Sequence, residues 1–334
     1  MPHAPPLGVL LRQYAAGSAL TCEPVDQGLL NRGWRLCTTR GRFFLKHHSD
    51  PETGTPAAIH RQHRATRRLA GLGVPVAPAL PDRDGRTVAV VGGHCFALHP
   101  WVEGRHRHGG QLTTAQCERL GALLGVVHSG LERVMPTRGR HRAGPATSAD
   151  PADTFALIDD LLARVRRHRP ADPFDELARH RLLERRALLE RHADRRPPRG
   201  AAVGWVHGDF HPFNLLYKGD APAAIVDWDR LGLRPRAEEA VRAAAIFFVR
   251  PAGPLDLTKV RAYARAYRRA AGATPSQLAA AVHRVWWERL NDFWMLRWHY
   301  ERGDRRADPQ FPAASALAVW WTREYDAVCA AFAD

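Results

Sequence analysis

The sequence predicts an α+β fold, with strands concentrated before residue 100 and helices after it. Short apolar segments separated by glycine-containing turns fill the N-terminal third, which is typical of β-hairpins. Periodic apolar residues dominate the rest of the chain, which is typical of amphipathic helices. With 334 residues, 45% of them hydrophobic, the chain is long enough for one large or two modest domains.

The strongest chemical signal lies in residues 205–229. Here a short apolar strand leads into a polar loop, and two further apolar runs predict a hairpin. The loop carries Asp209 and Asn214, and the second hairpin strand ends at Asp227. We expect these three side chains to converge. Carboxylate and amide oxygens are hard ligands that suit Mg²⁺ better than zinc. One carboxylate then remains to accept a proton or to orient a hydroxyl.

A single lysine in the N-terminal part also stands out. The sequence has only three lysines among its 49 basic residues. Lys46 ends an apolar strand predicted at residues 42–46, where alternation places it on the same face as Phe44. A charged ammonium at the end of an apolar strand is costly unless an anion meets it. The alternative is a strand-end lysine that reaches solvent.

Together these residues resemble the catalytic core of the aminoglycoside phosphotransferase and choline kinase family. The resemblance rests on the sequence His-Gly-Asp at 207–209, on Asn214 five residues later, and on an apolar run that ends in Asp227. It implies a two-lobed, protein-kinase-like fold. Residues 1–100 would form the nucleotide-binding lobe, and residues 101–334 the catalytic and substrate-binding helical lobe. The alternative is a polar loop and hairpin with incidental acids.

The resemblance also implies a role for each of these residues. Asp209 would orient the acceptor hydroxyl and take its proton, and Lys46 would hold the phosphates of ATP. Asn214 and Asp227 would bind Mg²⁺. The expected reaction is transfer of the γ-phosphoryl group of ATP to a hydroxyl of a small molecule, either a metabolite or an antibiotic.

Further nucleotide contacts are expected in the N-terminal lobe. Gly28 and Asn31 belong to a glycine-containing hairpin loop, whose N–H groups can lie over phosphates. Residues 99–104 resemble the hinge where the family binds adenine through backbone groups. Pro100 can offer only its C=O, and Val102 can offer its N–H.

Three positions depart from the family or stay open. The helix predicted at residues 57–72 carries Gln62 where the family usually has a glutamate that pairs with the lysine. A glutamine can form a hydrogen bond with Lys46 but cannot neutralise it. Asp229 is either a second metal ligand or a partner of the catalytic loop's backbone. Glu239 lies near the position of the aspartate that braces this loop in the family.

Helices dominate the C-terminal part. They are predicted at residues 113–134, 153–168, 174–193, 256–271, 275–302 and 312–332. His128 follows an apolar helix face, so we expect it to pack in the core. A tryptophan stripe in the helix 275–302 is first of all a core feature. However, the family's substrate pocket is usually walled by this region, and a carboxylate on an aromatic face is costly unless paired. Asp292 and Trp294 are therefore substrate-site candidates.

Composition limits the possible partners. The net charge is +15, which attracts anions, but the basic residues are dispersed and not interleaved with aromatic residues, so nucleic acid is not the expected partner. No run approaches the ~20 apolar residues of a membrane span. The start lacks a signal-peptide pattern, and five scattered cysteines lack metal-site spacing, so we expect a cytoplasmic protein. The oligomeric state cannot be deduced.

The acceptor is not specified by these patterns. Aminoglycosides are polycations, and a net charge of +15 weakens that choice. An amino alcohol, a sugar, a homoserine-like metabolite or a less cationic antibiotic is equally open. One alternative is a bacterial protein Ser/Thr kinase of the same fold. Another is a catalytically silent module that binds nucleotides or nucleic acid, and turnover of ATP separates it from the enzymes.

Overall fold

The computed structural model describes residues 4–25, 31–50, 53–135, 147–198 and 204–334. The strands are β1 (Ala19–Val25), β2 (Arg32–Thr38), β3 (Gly41–His48), β4 (Ala89–Val91), β5 (His94–Pro100), β6 (Gly204–Val206), β7 (Leu215–Lys218), β8 (Ala221–Ile225) and β9 (Gly232–Arg234). The helices are α1 (Leu7–Gln13), α2 (Pro56–Gly71), α3 (Thr114–Val134), α4 (Pro151–Arg167), α5 (Pro173–His192), α6 (Arg236–Phe247), α7 (Leu257–Ala271), α8 (Pro275–Asn291), α9 (Trp294–Arg302), α10 (Phe311–Arg323) and α11 (Tyr325–Ala333).

The chain divides into two compact units. The first comprises Met1–Arg107, Gly130–Pro136 and Trp205–Gly232, and the second comprises His108–Ser129, Thr137–Gly204 and Leu233–Asp334. The first contains a five-stranded sheet, and the second is mostly helical. The predicted α+β fold is therefore confirmed. The lobe boundary expected at residue 100 stays a prediction.

An antiparallel sheet of order β1-β2-β3-β5-β4 is the frame of the first unit. Its central strand, β3, alternates as the sequence predicts. Leu45 and Phe43 belong to an apolar core that also contains Leu10 and Leu11 of α1. Since successive side chains point to opposite faces, Lys46 lies on the other face of the sheet. The strand pairing thus fixes the position of the lysine.

A second hairpin, β7–β8, belongs to the same unit. It pairs Leu215 with Ile225 and is preceded by a 3₁₀ turn at Pro212–Asn214. The N–H of Ile225 donates to the C=O of Pro75, 2.8 Å away, so the end of β8 is tied to the segment after α2. This bond holds the backbone immediately before Asp227.

Close helix packing characterises the second unit. A Cβ atom at Gly121 of α3 would lie 2.1 Å from the C=O oxygen of Tyr263 in α7, so only glycine fits. A second apolar core joins α4, α5, α9 and α10, with Ile158, Leu182 and Phe311 among its members. No helix of the described residues is long and apolar enough to cross a membrane.

Two predicted helices are each wrong as single elements. The helix predicted at 275–302 is broken between α8 and α9, where the Asp292 carboxylate accepts a hydrogen bond from the N–H of Trp294 at 3.0 Å. The guanidinium of Arg185 donates to the C=O of Asp292, also at 3.0 Å. The helix predicted at 312–332 likewise divides into α10 and α11. Apolar periodicity continues across both breaks, so it does not reveal them.

Candidate active site

Lys46 stands between two carboxylates in the first unit. Its Nζ lies 2.8 Å from Oδ1 of Asp227 and 2.7 Å from Oδ2 of Asp229, and the residue is only 8% exposed. Burial lowers the pKa of the Lys46 ammonium, but the two carboxylates more than compensate and hold it above its usual range. The lysine therefore stays charged, and the cluster of three groups carries an excess of negative charge.

Asp227 adopts an unusual backbone conformation at the end of β8. Its φ is 58°, in the left-handed region that non-glycine residues rarely occupy. Such strain is characteristic of functional sites. The side chain is 44% exposed. Burial raises the pKa of the Asp227 carboxyl, but the adjacent Lys46 has the larger, opposite effect. The pKa therefore lies well below its usual range. Asp227 is thus an ionised carboxylate that solvent can reach.

Asp229 is more enclosed than Asp227. Its burial and the charge of Asp227 raise the pKa of the Asp229 carboxyl to about 6, against the opposing effect of Lys46. The side-chain amide of Asn31 donates to its carboxylate, and Nε2 of Gln62 donates to its backbone C=O at 3.2 Å. The sequence leaves two roles open for Asp229, metal ligand and partner of the loop backbone. Its carboxylate contacts the lysine, and both roles stay predictions.

The loop before β7 is shaped by His207 and Gly208. Gly208 has a φ of 88°, and a Cβ atom there would lie 2.1 Å from the C=O oxygen of Arg230. The fully buried His207 has its Nε2 3.0 Å from the C=O of Val226, and its Nδ1 accepts the N–H of Asp209 at 3.2 Å. One tautomer, with the proton on Nε2, satisfies both bonds. His207 therefore ties the start of the loop to the residue before Asp227.

Asn214 closes the other end of this loop. Its side-chain Nδ2 donates to the C=O of Asp209 at 2.9 Å, and its C=O accepts the N–H of Val226 at 2.9 Å. The loop is thus joined to Val226, directly after β8, by one bond from His207 and one to Asn214. The convergence of the Asp209, Asn214 and Asp227 side chains stays a prediction. The amide oxygen of Asn214 and the Asp227 carboxylate are oxygen donors of the kind that Mg²⁺ prefers. The donor types fit that ion.

Asp209 has basic side chains on both sides. One carboxylate oxygen lies 3.5 Å from Nε2 of His211, and the other lies 3.8 Å from Nε of Arg230. Burial raises the pKa of the Asp209 carboxyl, but the hydrogen bond and charge of His211, with Arg230, lower it below its usual value. Asp209 is therefore ionised at neutral pH and able to accept a hydrogen bond from a hydroxyl.

Pro100 and Val102 occupy the end of β5 and the residues just after it. The N–H of Trp101 donates to the C=O of Arg42 in β3, at 3.1 Å. Because Pro100 lies opposite Phe43, next to this bonded pair, the C=O of Pro100 points away from β3. This is the orientation that the predicted adenine contact requires. The contact itself stays a prediction.

The predicted phosphate loop is described only in part. Gly28 lies outside the described residues. The side-chain oxygen of Asn31 accepts the N–H groups of Ser49 at 2.8 Å and Asp50 at 3.2 Å, and its nitrogen donates to Asp229. Asn31 therefore connects the start of β2 with the segment after β3. Its predicted role toward the nucleotide stays a prediction.

A profile of the phosphotransferase enzyme family matches residues 21–273, about three quarters of the chain. The chain belongs to this family. The resemblance stated from the sequence, the kinase-type α+β fold and the phosphotransferase enzyme class are all confirmed.

Several members of this family or fold are similar over most of their length. The homoserine kinase of Methylobacillus flagellatus is 24% identical over 295 residues, covering 85% of this chain and 83% of that protein. The structure of the amicoumacin kinase hAmiN in complex with AMP-PNP, Ca²⁺ and Ami has a TM-score of 0.60 and 16% identity, covering 95% of this chain and 91% of its own. A microcompartment-associated aminopropanol kinase has a TM-score of 0.61 and 16% identity, with coverage of 98% and 99%.

The remaining predicted residues of this phosphotransferase lie in the second unit. Asp292 occupies the break between α8 and α9, and burial raises the pKa of its carboxyl. Trp294 is half-buried, and its ring meets that of Trp298 edge to face at 5.4 Å. Their role toward a substrate stays a prediction. Trp287 of the same stripe is buried in the core.

Glu239 also lies in the second unit, in α6. Its carboxylate is 2.7 Å from Nε2 of His128, whose Nδ1 is 3.1 Å from the Tyr267 hydroxyl. His128 is fully buried, as the sequence predicts. The brace from Glu239 to the catalytic loop stays a prediction.

Sequence reasoning missed several contributors to the site of this phosphotransferase. It assigned no role to His207, it did not connect Asn31 with Asp229, and it did not identify Asp229 as a partner of Lys46. The pairing of Asp229 with Lys46 had a signal in the sequence, because the spacing Asp227-x-Asp229 places two carboxylates at the end of one strand. The side-chain amide of Gln62 donates to the backbone C=O of Asp229, and its predicted hydrogen bond with Lys46 stays a prediction.

Proposed function

We propose that this protein transfers the γ-phosphoryl group of ATP to the hydroxyl of a small amino alcohol or hydroxy amino acid, with homoserine as the first candidate. The observation that carries the proposal is the cluster of Lys46, Asp227 and Asp229. One ammonium beside two carboxylates leaves an excess negative charge, which favours binding of a divalent cation, and the cation in turn binds the phosphates of a nucleotide. The amicoumacin kinase complex, with its nucleotide analogue and Ca²⁺, supports this combination of ligands.

Each residue has a separate task in the nucleotide site. Lys46 provides a compact positive charge for phosphate oxygens, while Asp229 holds the ammonium in place from the enclosed side. Asp227 and the amide oxygen of Asn214 would hold Mg²⁺. When bound, this ion would neutralise charge on the phosphate oxygens. Because these side chains are fixed by β3, β8 and the 3₁₀ turn, little reorganisation is needed at the moment of transfer.

Asp209 acts on the acceptor. Its ionised carboxylate accepts a hydrogen bond from the acceptor hydroxyl and directs the oxygen toward the γ-phosphorus. The new bond forms between this oxygen and phosphorus, and the bond from phosphorus to the β–γ bridging oxygen breaks. The hydroxyl proton passes to Asp209, and ADP leaves with the bonding electrons.

The choice of acceptor is supported by relatives and by charge. The relative from Methylobacillus flagellatus is named homoserine kinase, and a fold neighbour is an aminopropanol kinase. Both names denote small acceptors with one hydroxyl and one amine. The net charge of +15 favours such a molecule over a polycationic antibiotic, whose binding requires an acidic surface.

An acceptor panel tests this proposal directly. Release of ADP is measured with MgATP and homoserine, aminopropanol, choline or spectinomycin, and phosphorylated products are identified by mass spectrometry. We expect acceptor-dependent ADP release to be greatest with homoserine or aminopropanol, and about 10²- to 10⁴-fold slower in Asp209→Ala. Turnover only with Ser/Thr peptides would favour a protein kinase. Nucleotide binding without any turnover would favour a silent binding module.

A further inference from the structure

A second polar cluster lies entirely in the second unit, where the end of α4, the first turn of α5 and helix α9 meet. His168 directly follows α4, Asp175 lies in the first turn of α5, and His299 lies in α9. One ring nitrogen or carboxylate oxygen from each residue lies within 4.8 Å of the other two. We call these three residues the His–Asp–His cluster. Nothing in the phosphoryl transfer proposed above uses it.

His299 is the most informative member of the cluster. Its side chain is 2% exposed, and its Nδ1 lies 2.8 Å from a carboxylate oxygen of Asp308. Its Nε2 is buried and has no hydrogen-bond partner among the residues that the structure describes. Buried polar atoms are nearly always paired, so this atom requires an explanation. A histidine that donates Nδ1–H to a carboxylate and presents a bare Nε2 has the form of a metal ligand with its supporting group.

Asp175 is oriented in a similar way. The hydroxyl of Tyr300 donates to its Oδ1 at 2.6 Å, and the N–H of Asp172 donates to its Oδ2 at 3.0 Å. Nδ1 of His168 lies 2.9 Å from the same carboxylate. These bonds fix the carboxylate without using all of its lone pairs. The ring of Phe174 stacks on His299 at 4.4 Å and adds an apolar wall.

We propose that the His–Asp–His cluster binds one divalent ion of the zinc class, which fastens the turn between α4 and α5 to helix α9. Two imidazoles and one carboxylate suit zinc or cobalt better than Mg²⁺, which prefers oxygen alone. The carboxylates of Asp175 and Asp308 balance the charge of a divalent ion. Because the His168 side chain is 21% exposed, water can reach the remaining coordination position.

Metal titration of the full-length protein tests this site. The protein is stripped with a chelator and titrated with Zn²⁺ by calorimetry in excess Mg²⁺, which occupies oxygen-donor sites. We expect one tight equivalent and a rise in melting temperature. Co²⁺ in place of Zn²⁺ should give visible absorption bands from histidine coordination. Asp308→Asn keeps the shape of its side chain but removes its charge, and should weaken Zn²⁺ binding about 10- to 100-fold.

Two ligand variants and one control make the result decisive. His168→Gln and His299→Gln should each abolish the tight equivalent and the cobalt spectrum. His180→Gln, on the exposed face of α5 with a side chain that is 68% exposed, should change neither. If His299→Gln fails to fold, the half-buried His168 position decides the matter, with circular dichroism as the folding check. The absence of a tight equivalent in the parent protein, or its retention in His168→Gln, would overturn the proposal.

Discussion

Two polar clusters in this protein each contain a basic and an acidic side chain but differ in how their charges are balanced. In the first unit, Lys46 lies between two carboxylates, one of which belongs to Asp227, whose side chain is 44% exposed. In the second unit, the fully enclosed His128 uses both ring nitrogens, one toward Glu239 and the other toward the Tyr267 hydroxyl. This second cluster joins α3, α6 and α7.

The difference separates a reactive site from a structural one. The histidine cluster is completed by its own side chains, and it is buried, so it contributes to the packing of three helices. The lysine cluster has one negative charge too many and an accessible carboxylate, so it is completed only by an added cation and its ligands. We therefore expect changes around the lysine to affect catalysis, and changes around the histidine to affect stability.

The largest effect is expected at Asp209. Asp209→Ala removes the group that orients the acceptor hydroxyl and takes its proton, so the turnover number should fall about 10²- to 10⁴-fold. ATP affinity, measured by calorimetry, should stay nearly the same because Asp209 contacts the acceptor. Asp220→Ala, at the exposed turn between β7 and β8, is the matched control. Turnover of Asp209→Ala near that of the control would show that the catalytic assignment is wrong.

Glu239 provides the contrasting case. Glu239→Ala leaves a buried ring nitrogen of His128 without its partner, and an unsatisfied buried polar group typically lowers the free energy of unfolding by about 1–3 kcal/mol. Urea unfolding measures this quantity, and Glu239→Gln, which keeps a hydrogen bond, should lose less. The folded fraction should retain its ATP affinity and turnover. A loss of turnover with unchanged stability would instead support the brace to the catalytic loop.

Lys46→Arg tests whether charge alone is sufficient in the lysine cluster. The ammonium fits between two carboxylates at 2.7 and 2.8 Å, and a planar guanidinium cannot reproduce this geometry. Loss of one charge-assisted bond corresponds to about 1.5–3 kcal/mol, or roughly a 10- to 100-fold lower kcat/KM for ATP. Lys218→Arg, at the exposed end of β7, is the control and should leave kcat/KM for ATP unchanged. Equal activity of both variants would make Lys46 an ordinary strand residue.

The sequence predicts the local parts of this site better than the distant connections. Alternation along β3 correctly places Lys46 opposite the apolar core, because a strand's period of two is a local property. The pairing of Lys46 with Asp229 depends on how β3 and β8 approach each other, and no local period encodes that. The break at Asp292 was missed for a related reason. The break contains no glycine or proline that would mark it in the sequence. It is defined by the bond from the N–H of Trp294 to the Asp292 carboxylate and by a long-range bond from Arg185 to the C=O of Asp292.

Acid should destabilise the first unit through three histidines, of which His48 and His63 are buried and His99 is half-buried. Burial lowers the pKa of His48 to about 2, of His63 to about 3 and of His99 to about 4, from 6.5. Unfolding restores the ordinary pKa, so below pH 6.5 the unfolded state binds more protons than the folded state. The free energy of unfolding therefore decreases as the pH is lowered. Above pH 6.5 this contribution to stability is fully present.

The expected slope is up to about 1.4 kcal/mol per pH unit for each histidine between pH 6.5 and 5. Urea unfolding over this range measures it. His63→Gln should flatten the slope, because glutamine can replace the bond to Thr87 without titrating. A slope that is unchanged in this variant would mean that His63 is protonated in the folded protein.

The smallest effect is expected at Gln62, which stands where the family resemblance predicts a glutamate partner of the lysine. Its side-chain amide donates to the backbone C=O of Asp229 at 3.2 Å, and the carboxylates of Asp227 and Asp229 already neutralise Lys46. Gln62→Ala removes one neutral hydrogen bond, so the free energy of unfolding should fall by only ~1 kcal/mol and turnover should be nearly unchanged.

Gln62→Glu sharpens this comparison. It would add a third carboxylate to a cluster that already has an excess negative charge, opposite a C=O group that cannot donate to it. We expect this variant to be less stable than Gln62→Ala in urea unfolding at pH 7, even though it creates the residue that the family resemblance predicts. If Gln62→Glu is instead the more stable and the more active variant, the lysine lacks a sufficient partner, and Asp229 does not replace the missing glutamate.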